Sequence, residues 1–265
     1  MPVTTYRHPS EFPILALTLL ALLVILVITA GVTVCLAPLL VIIFLILAYQ
    51  TSRAHQASLL QQAMQVTSET SPHLKQIVQT CNQRLRMSHG SVQVFVLPSR
   101  QRNAYTFGLD DPKAIVLYSA LLETMDAEEL RFIVGHEMGH VALGHTWLNS
   151  LLGGLAGIPT TFEASVLLSL AFRWWNRACE YSADRAGLLA CGSAQKATSA
   201  LVKLVAVNTQ SQADLQRALD IIEREDDSPV NVLAEALSTH PMLVRRIEHI
   251  KHYAAAAEFR RLSAA

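Results

Sequence analysis

From Ile14 to Tyr49 the chain carries no charged residue, and the run reads ILALTLLALLVILVITAGVTVCLAPLLVIIFLILAY. About 20 apolar residues cross a bilayer as one helix, so this run is too long for a single upright span. Two shorter helices turning near Ala30-Gly31 or Ala37-Pro38 fit it, each near the lower length limit. One strongly tilted anchor is the alternative. A cleaved signal peptide fits worse, because its apolar core is about 7–15 residues and ends in a small-residue cleavage site. Residues 1–50 are therefore expected to form a retained membrane anchor, a two-helix transmembrane hairpin, with the remaining domain over residues 51–265. Arg7 before the run and Arg53 after it favour the hairpin, with both flanks on the cytoplasmic side.

Charged residues make up only 16% of the chain, against about 25% in soluble domains, and the anchor accounts for much of the deficit. A formal net charge of zero gives no basic field for nucleic acid. The cysteines Cys35, Cys81, Cys179 and Cys191 show no CxxC spacing, so they read as buried or lipid-facing thiols.

Beyond the anchor, residues 51–71 are polar and helix-permissive, as expected of a stalk. Pro72 opens a helix whose Leu74, Ile77, Val78, Cys81 and Leu85 share one face. VQVFVL (92–97), AYTFG (104–108) and AIVLYS (114–119) read as a small antiparallel sheet of about three strands. A helix follows through TMDAEELRFIVGHEMGHVALGH, with Asp126 and Glu129 spaced as a capping box. Its core stripe is Leu130, Ile133, Val134, Met138 and Val141. The rest is helical in pattern, which makes the fold α+β and mostly helical. Residues 147–172 form an apolar insert with one charge, Glu163, and a break at Gly157-Ile158-Pro159. Followed by RWWNR, the insert reads either as a membrane-contacting hairpin or as a buried one.

The chemistry concentrates in GHEMGHVALGH (135–145). His136 and His140 are four apart, one helical turn, so both imidazoles leave the same face about 6 Å apart along the axis. That pair can supply two zinc bonds of about 2.0–2.1 Å. Glu137, roughly 100° round the helix, can take the proton of a water that the metal activates. His145 comes five residues after His140; on a continuing helix it points away, which suits a histidine at a helix C-terminus or an outer contact better than a ligand. In RACEYSADRAG (177–187), Glu180 and Asp184 share a helix face. Glu180 could bind the metal while Asp184 orients a ligating histidine; by itself such a pair is usually a solvated helix face.

HEMGHVALGH followed about 40 residues later by RACEYSADRAG resembles the gluzincin family of HtpX-type membrane proteases and CAAX prenyl endopeptidases. NAYTFG (103–108), IVLYSALLETMDAEELRFIVGHEMGH and STHPMLVRRI (238–247) extend the resemblance over about residues 70–250. It implies a zincin-type metalloprotease domain holding one zinc ion per chain on His136, His140 and Glu180. Glu137 would be the general base and Asp184 a partner of the ligands. By the same resemblance Arg246 and His240 lie near the reacting centre, and Asn103 contacts the main chain of a protein or peptide substrate. The implied protein is a membrane-anchored zinc endopeptidase of misfolded or membrane-proximal proteins. It would sit in a bacterial cytoplasmic membrane with its active site facing the cytoplasm. A catalytically silent scaffold stapled by zinc is the alternative; it would not need Glu137 beside an open coordination position.

Overall fold

A computed structural model of the chain describes residues 6–32, 36–88, 90–108, 111–146, 163–205 and 243–263. Two long helices come first, α1 (Glu11–Val32) and α2 (Leu36–Gln62), and they pack against each other. Among the described residues one helix, Glu11–Gly31 within α1, is long and apolar enough to cross a membrane. At 1.5 Å per residue α1 is about 33 Å long, close to the thickness of a bilayer core. Leu17, Leu20, Leu23, Val27 and Ile28 stand exposed along it, as do Leu39, Ile42 and Ile46 on α2. That apolar surface is uncovered within the chain, as surfaces that meet a membrane or another protein are. The second helix then runs through the polar stretch after Tyr49 without a break, so the boundary expected near residue 50 falls inside a helix.

Four strands among the described residues form one sheet in the order β1-β2-β4-β3, where β1 is Met64–Gln65, β2 Val92–Leu97, β3 Ala104–Phe107 and β4 Lys113–Tyr118. The sheet is mixed, which corrects the antiparallel expectation. β1 and β3 pair antiparallel with their neighbours, but β2 and β4 are parallel, with Val94 opposite Ile115 and Val96 opposite Leu117. The reason lies in the connection. After β2 the chain passes β4, runs back as β3 and reverses again, so β4 returns in the direction of β2. Both faces of β4 are covered: Ile115 and Leu117 point into the main helical core, whereas Ala114 and Val116 meet Leu59 and Leu60 of α2. A strand buried on both sides reads as an unbroken apolar run, and KAIVLY nearly does.

The main core joins that sheet to α3 (Pro72–Leu85), α4 (Ser119–Thr124), α5 (Ala127–Ala142), α6 (Glu163–Cys191), α7 (Ala194–Val205) and α8 (Leu243–Ala255), with α9 (Ala257–Ser263) at the end. All five residues expected on the inner face of α3 are buried. Of the apolar insert, residues 147–162 lie outside the described residues, and 163–172 form the first part of α6. In the RWWNR segment Trp174 is exposed while Trp175 is buried against Ile14 and Leu15 of α1.

The segment ahead of α1 belongs to this domain. Tyr6 is part of the main core. The His8 backbone N–H donates to Ser182 Oγ at 2.9 Å, the Arg185 guanidinium to the Arg7 carbonyl at 3.3 Å, and the Arg7 guanidinium to the Leu143 carbonyl at 2.7 Å.

α5 and α6 touch through a seam of small residues. A Cβ placed on Gly135 would lie 2.3 Å from Ala190 Cβ, and one on Gly139 would lie 2.6 Å from Ala186 Cβ and 3.2 Å from Ala183 Cα. Neither neighbour is a flexible side-chain end that can swing aside, so the helices must separate to admit a methyl group. Gly139→Ala should therefore cost about 1–3 kcal/mol through overpacking, outweighing the gain in helix propensity, which is up to about 1 kcal/mol. A lower Tm in detergent would show this; an unchanged or higher Tm would contradict it.

Candidate metal centre

The active helix is anchored at its start. The Asp126 carboxylate accepts from the backbone N–H groups of Glu128 (2.9 Å) and Glu129 (3.0 Å), and the Glu129 carboxylate accepts from Asp126 N–H at 2.9 Å, completing the capping box. Glu129 is itself buried, where Ser199 and Lys203 of α7 donate to it at 2.6 and 2.7 Å. From this cap α5 carries Phe132, His136, Glu137 and His140 into the interior.

His136 and His140 turn their Nε2 atoms to a common point, 3.2 Å apart. Across the glycine seam, Glu180 of α6 sets its two carboxylate oxygens 3.6 Å from His136 Nε2 and 3.4 Å from His140 Nε2. Ligands bound at about 2.0–2.1 Å at the corners of a tetrahedron are separated by about 3.3–3.4 Å. The separations here, 3.2 Å between the two nitrogens and 3.4–3.6 Å from each nitrogen to one carboxylate oxygen, are of that size, so the group can close around a metal ion. All three residues are buried.

The outer bonds decide what those atoms can do. His136 Nδ1 lies 3.0 Å from Asp184 Oδ1, which accepts only, so Nδ1 carries the proton and Nε2 presents a lone pair. Arg246 holds Asp184 with a two-pronged bond, Nε to Oδ2 at 2.8 Å and Nη2 to Oδ1 at 2.6 Å, and reaches Glu180 at 3.2 Å. Burial raises the pKa of Asp184, but the charge and hydrogen bonds of Arg246 outweigh it, and the net shift is downward. The Nε2 atoms of both imidazoles and a carboxylate oxygen therefore converge on one gap. That donor set of two imidazoles and one carboxylate fits zinc.

Glu137 does not join the three. Its Oε2 accepts from the Thr106 hydroxyl of β3 at 2.6 Å. Thr106 escaped the sequence reading because a threonine in a strand carries no signal of its own. Asn103 and Tyr105 of the same edge line a cleft of about 220 Å³ with His136, Glu137 and Arg246. The side-chain oxygen of Asn103 accepts from Ala104 N–H at 2.9 Å. The guanidinium of Arg246 is committed to carboxylates, so the structure places it as a holder of Asp184 and Glu180. His240 lies outside the described residues.

His145 is closer to the centre than its spacing suggested. The helix ends at Ala142, and Gly144 adopts a left-handed φ of 76°, which turns the chain back. His145 Nδ1 then lies 3.0 Å from His140 Nδ1 and its Nε2 lies 3.0 Å from the Glu11 carboxylate. It sits behind His140 rather than in the group of three.

A sequence profile of Peptidase family M48 matches residues 68–254. The chloroplastic plastoglobule-localized metallopeptidase 48 of Arabidopsis thaliana is 29% identical over 187 residues, which cover 64% of this chain and 54% of that protein. Protease HtpX of Acinetobacter baumannii (strain AYE) is 29% identical over 217 residues, covering 66% of this chain and 69% of the relative. Protease HtpX of Chromohalobacter salexigens is 27% identical over 199 residues, with 61% and 66% covered. The chain thus spans about half the length of the chloroplast relative and about two thirds of the bacterial ones.

Proton and metal compete for the same nitrogen of His140. Burial lowers the pKa of this histidine, but the hydrogen bond and charge of Glu180 outweigh it and hold the pKa above its ordinary 6.5. Below that raised value the metal must displace a proton. Zinc affinity, followed by chelator competition from about pH 8 to about pH 5.5, should start to fall above pH 6.5. A profile flat down to pH 6.5 would contradict this.

Proposed function

The chain belongs to peptidase family M48, and on that premise we propose that it is a membrane-anchored zinc endopeptidase cleaving extended segments of misfolded or membrane-proximal proteins. The observation that carries this reading is the triangle of His136, His140 and Glu180, with the Glu137 carboxylate beside it in the same cleft. Bound zinc would supply Lewis acidity, polarising a peptide carbonyl and lowering the pKa of water towards neutrality.

The chain's own residues supply the rest. Glu137 takes the proton of the attacking water and returns it to the leaving amine. The Thr106 hydroxyl donates to Oε2 of Glu137 and so orients the carboxylate that takes up that proton. Asp184, fixed by Arg246, keeps His136 in the tautomer that ligates through Nε2. The strand β3 is an edge of the sheet and borders the cleft. An extended substrate can add to it as a further strand, with Asn103 at its start.

The membrane reading rests on α1 and on contacts at both ends of the helix pair. Residues 6–8 and the strands after α2 meet the same domain core. A chain that leaves this domain through α1 and returns through α2 crosses the bilayer an even number of times, as a hairpin. Arg7 and Arg53 then lie on one side, which the positive-inside rule assigns to the cytoplasm of a bacterial cell.

Two experiments test this. Glu137→Gln should keep one zinc per chain by metal analysis while cleavage of casein falls by about 10²–10⁴-fold; full cleavage in the zinc-loaded variant would remove Glu137 as the base. Epitopes at the two termini should be digested together from one face of sealed vesicles. Digestion from opposite faces would replace the hairpin with a single span.

A further inference from the structure

Glu11, His145 and Cys179 form a second buried group within ligand distance of one another, outside the triangle just described. It invites a second metal, but the hydrogen bonds argue otherwise. If His140 ligates through Nε2, its Nδ1 carries the proton and points it at His145 Nδ1, 3.0 Å away. His145 Nδ1 must then accept, which puts the His145 proton on Nε2, facing Glu11 Oε1 at 3.0 Å. That nitrogen has no lone pair left for a metal. Glu11 is already neutralised by the Arg7 guanidinium one turn before it, and its other oxygen accepts from Ser182 Oγ at 2.6 Å. The group is a strand of hydrogen bonds with one consistent direction: His140 donates to His145, and His145 donates to Glu11.

Glu11 stands in the first turn of the apolar helix α1, where it is 1% exposed. A carboxylate at the start of such a helix would ordinarily face water. Here the helix is docked so that this turn points inward, with Ile14 and Leu15 against Trp175 and Cys179 of α6. His145 is likewise 1% exposed, and Trp175 stands edge-on to its ring at 6.0 Å.

We propose that Glu11 is a positioning residue of the metal centre, contributed by the membrane helix: through His145 it fixes the tautomer and the ring orientation of the ligand His140. The orientation of the ligand His140 then depends on α1 being docked on the domain. The anchor is in this sense part of the metal site. The inference rests on the zinc reading above and deepens it.

The test uses the full chain in detergent, zinc as the probe and chelator competition as the readout, with the Tm of the metal-free protein recorded for every variant. Loss of a partner behind a metal ligand lowers affinity by about 10–100-fold, so Glu11→Gln should weaken zinc binding about tenfold. The decisive measurement is the double-mutant cycle with His145→Gln. If Glu11 acts through His145, then Glu11→Gln in the His145→Gln background costs no further affinity. A purely structural role gives additive losses in affinity, matched by additive losses in metal-free Tm, and overturns the proposal. Cobalt substitution adds a spectroscopic check: the ligand-field bands of the Co²⁺ protein should shift in Glu11→Gln. Ser182→Ala, which removes one bond to Glu11 and leaves the residue in place, should weaken zinc binding in the same direction by less. Wild-type affinity in both Glu11→Gln and Ser182→Ala would also overturn the proposal. A wild-type protein that takes up no stoichiometric zinc would instead sink the zinc reading itself, and this inference with it.

Discussion

The close approach of α5 and α6 sets the geometry on which everything else depends. Two helices with ordinary side chains between them lie 8–10 Å apart, at distances set by those side chains. Here Gly135 and Gly139 face Ala183, Ala186, Gly187 and Ala190, and the backbones come near enough that a single added methyl group collides. That nearness lets a carboxylate from one helix reach within 3.6 Å of two imidazoles on the other. The glycines inside GHEMGH thus serve the same end as its histidines. The histidines supply donor atoms; the glycines remove the bulk that would hold the third donor away.

Bringing those donors together has an electrostatic cost, and the surrounding residues offset it. Glu180 and Asp184 are buried one turn apart on α6, an unfavourable pairing of like charges in a poorly solvated place. Arg246 from α8 spans both, and its pKa is held above the ordinary value by them despite its burial. One cation for two carboxylates leaves the cluster short of positive charge, and the Nε2 atoms of His136 and His140 face the gap. The imbalance is what a divalent cation would correct. On the other side of the centre Glu11 has its own arginine, Arg7, so that charge is balanced locally.

How much of this was legible in the sequence depends on how local each feature is. The capping box at Asp126 and Glu129, the inner face of α3 and the shared face of Glu180 and Asp184 all follow from spacings within one or two helical turns, and the structure has each of them. The parallel pairing of β2 and β4 was not legible, because direction depends on how the chain travels between them, and strand patterns do not record the path. The position of His145 was half legible. The spacing excluded it from a continuing helix face, but the turn at Gly144 brought it back behind His140. Glu11 was invisible for a different reason. It is 134 residues from His145, and a glutamate at the head of an apolar helix has an adequate local explanation as a first-turn acid at the positive end of the helix dipole.

The shortness of β3 carries a further consequence. The strand has four residues, Ala104 to Phe107, and β4 already takes the groups on one side of it. About half of its N–H and C=O groups face outward, which is room for only a few main-chain bonds with an incoming segment. Contact this brief cannot pull a strand or helix out of a folded partner. On the proposed reading it would join a segment already loosened, and selection would rest on the partner's local stability rather than on its residue order. An edge this short is also a poor template for another copy of the same chain. A sheet edge can thus border a cleft without becoming a nucleus for self-association.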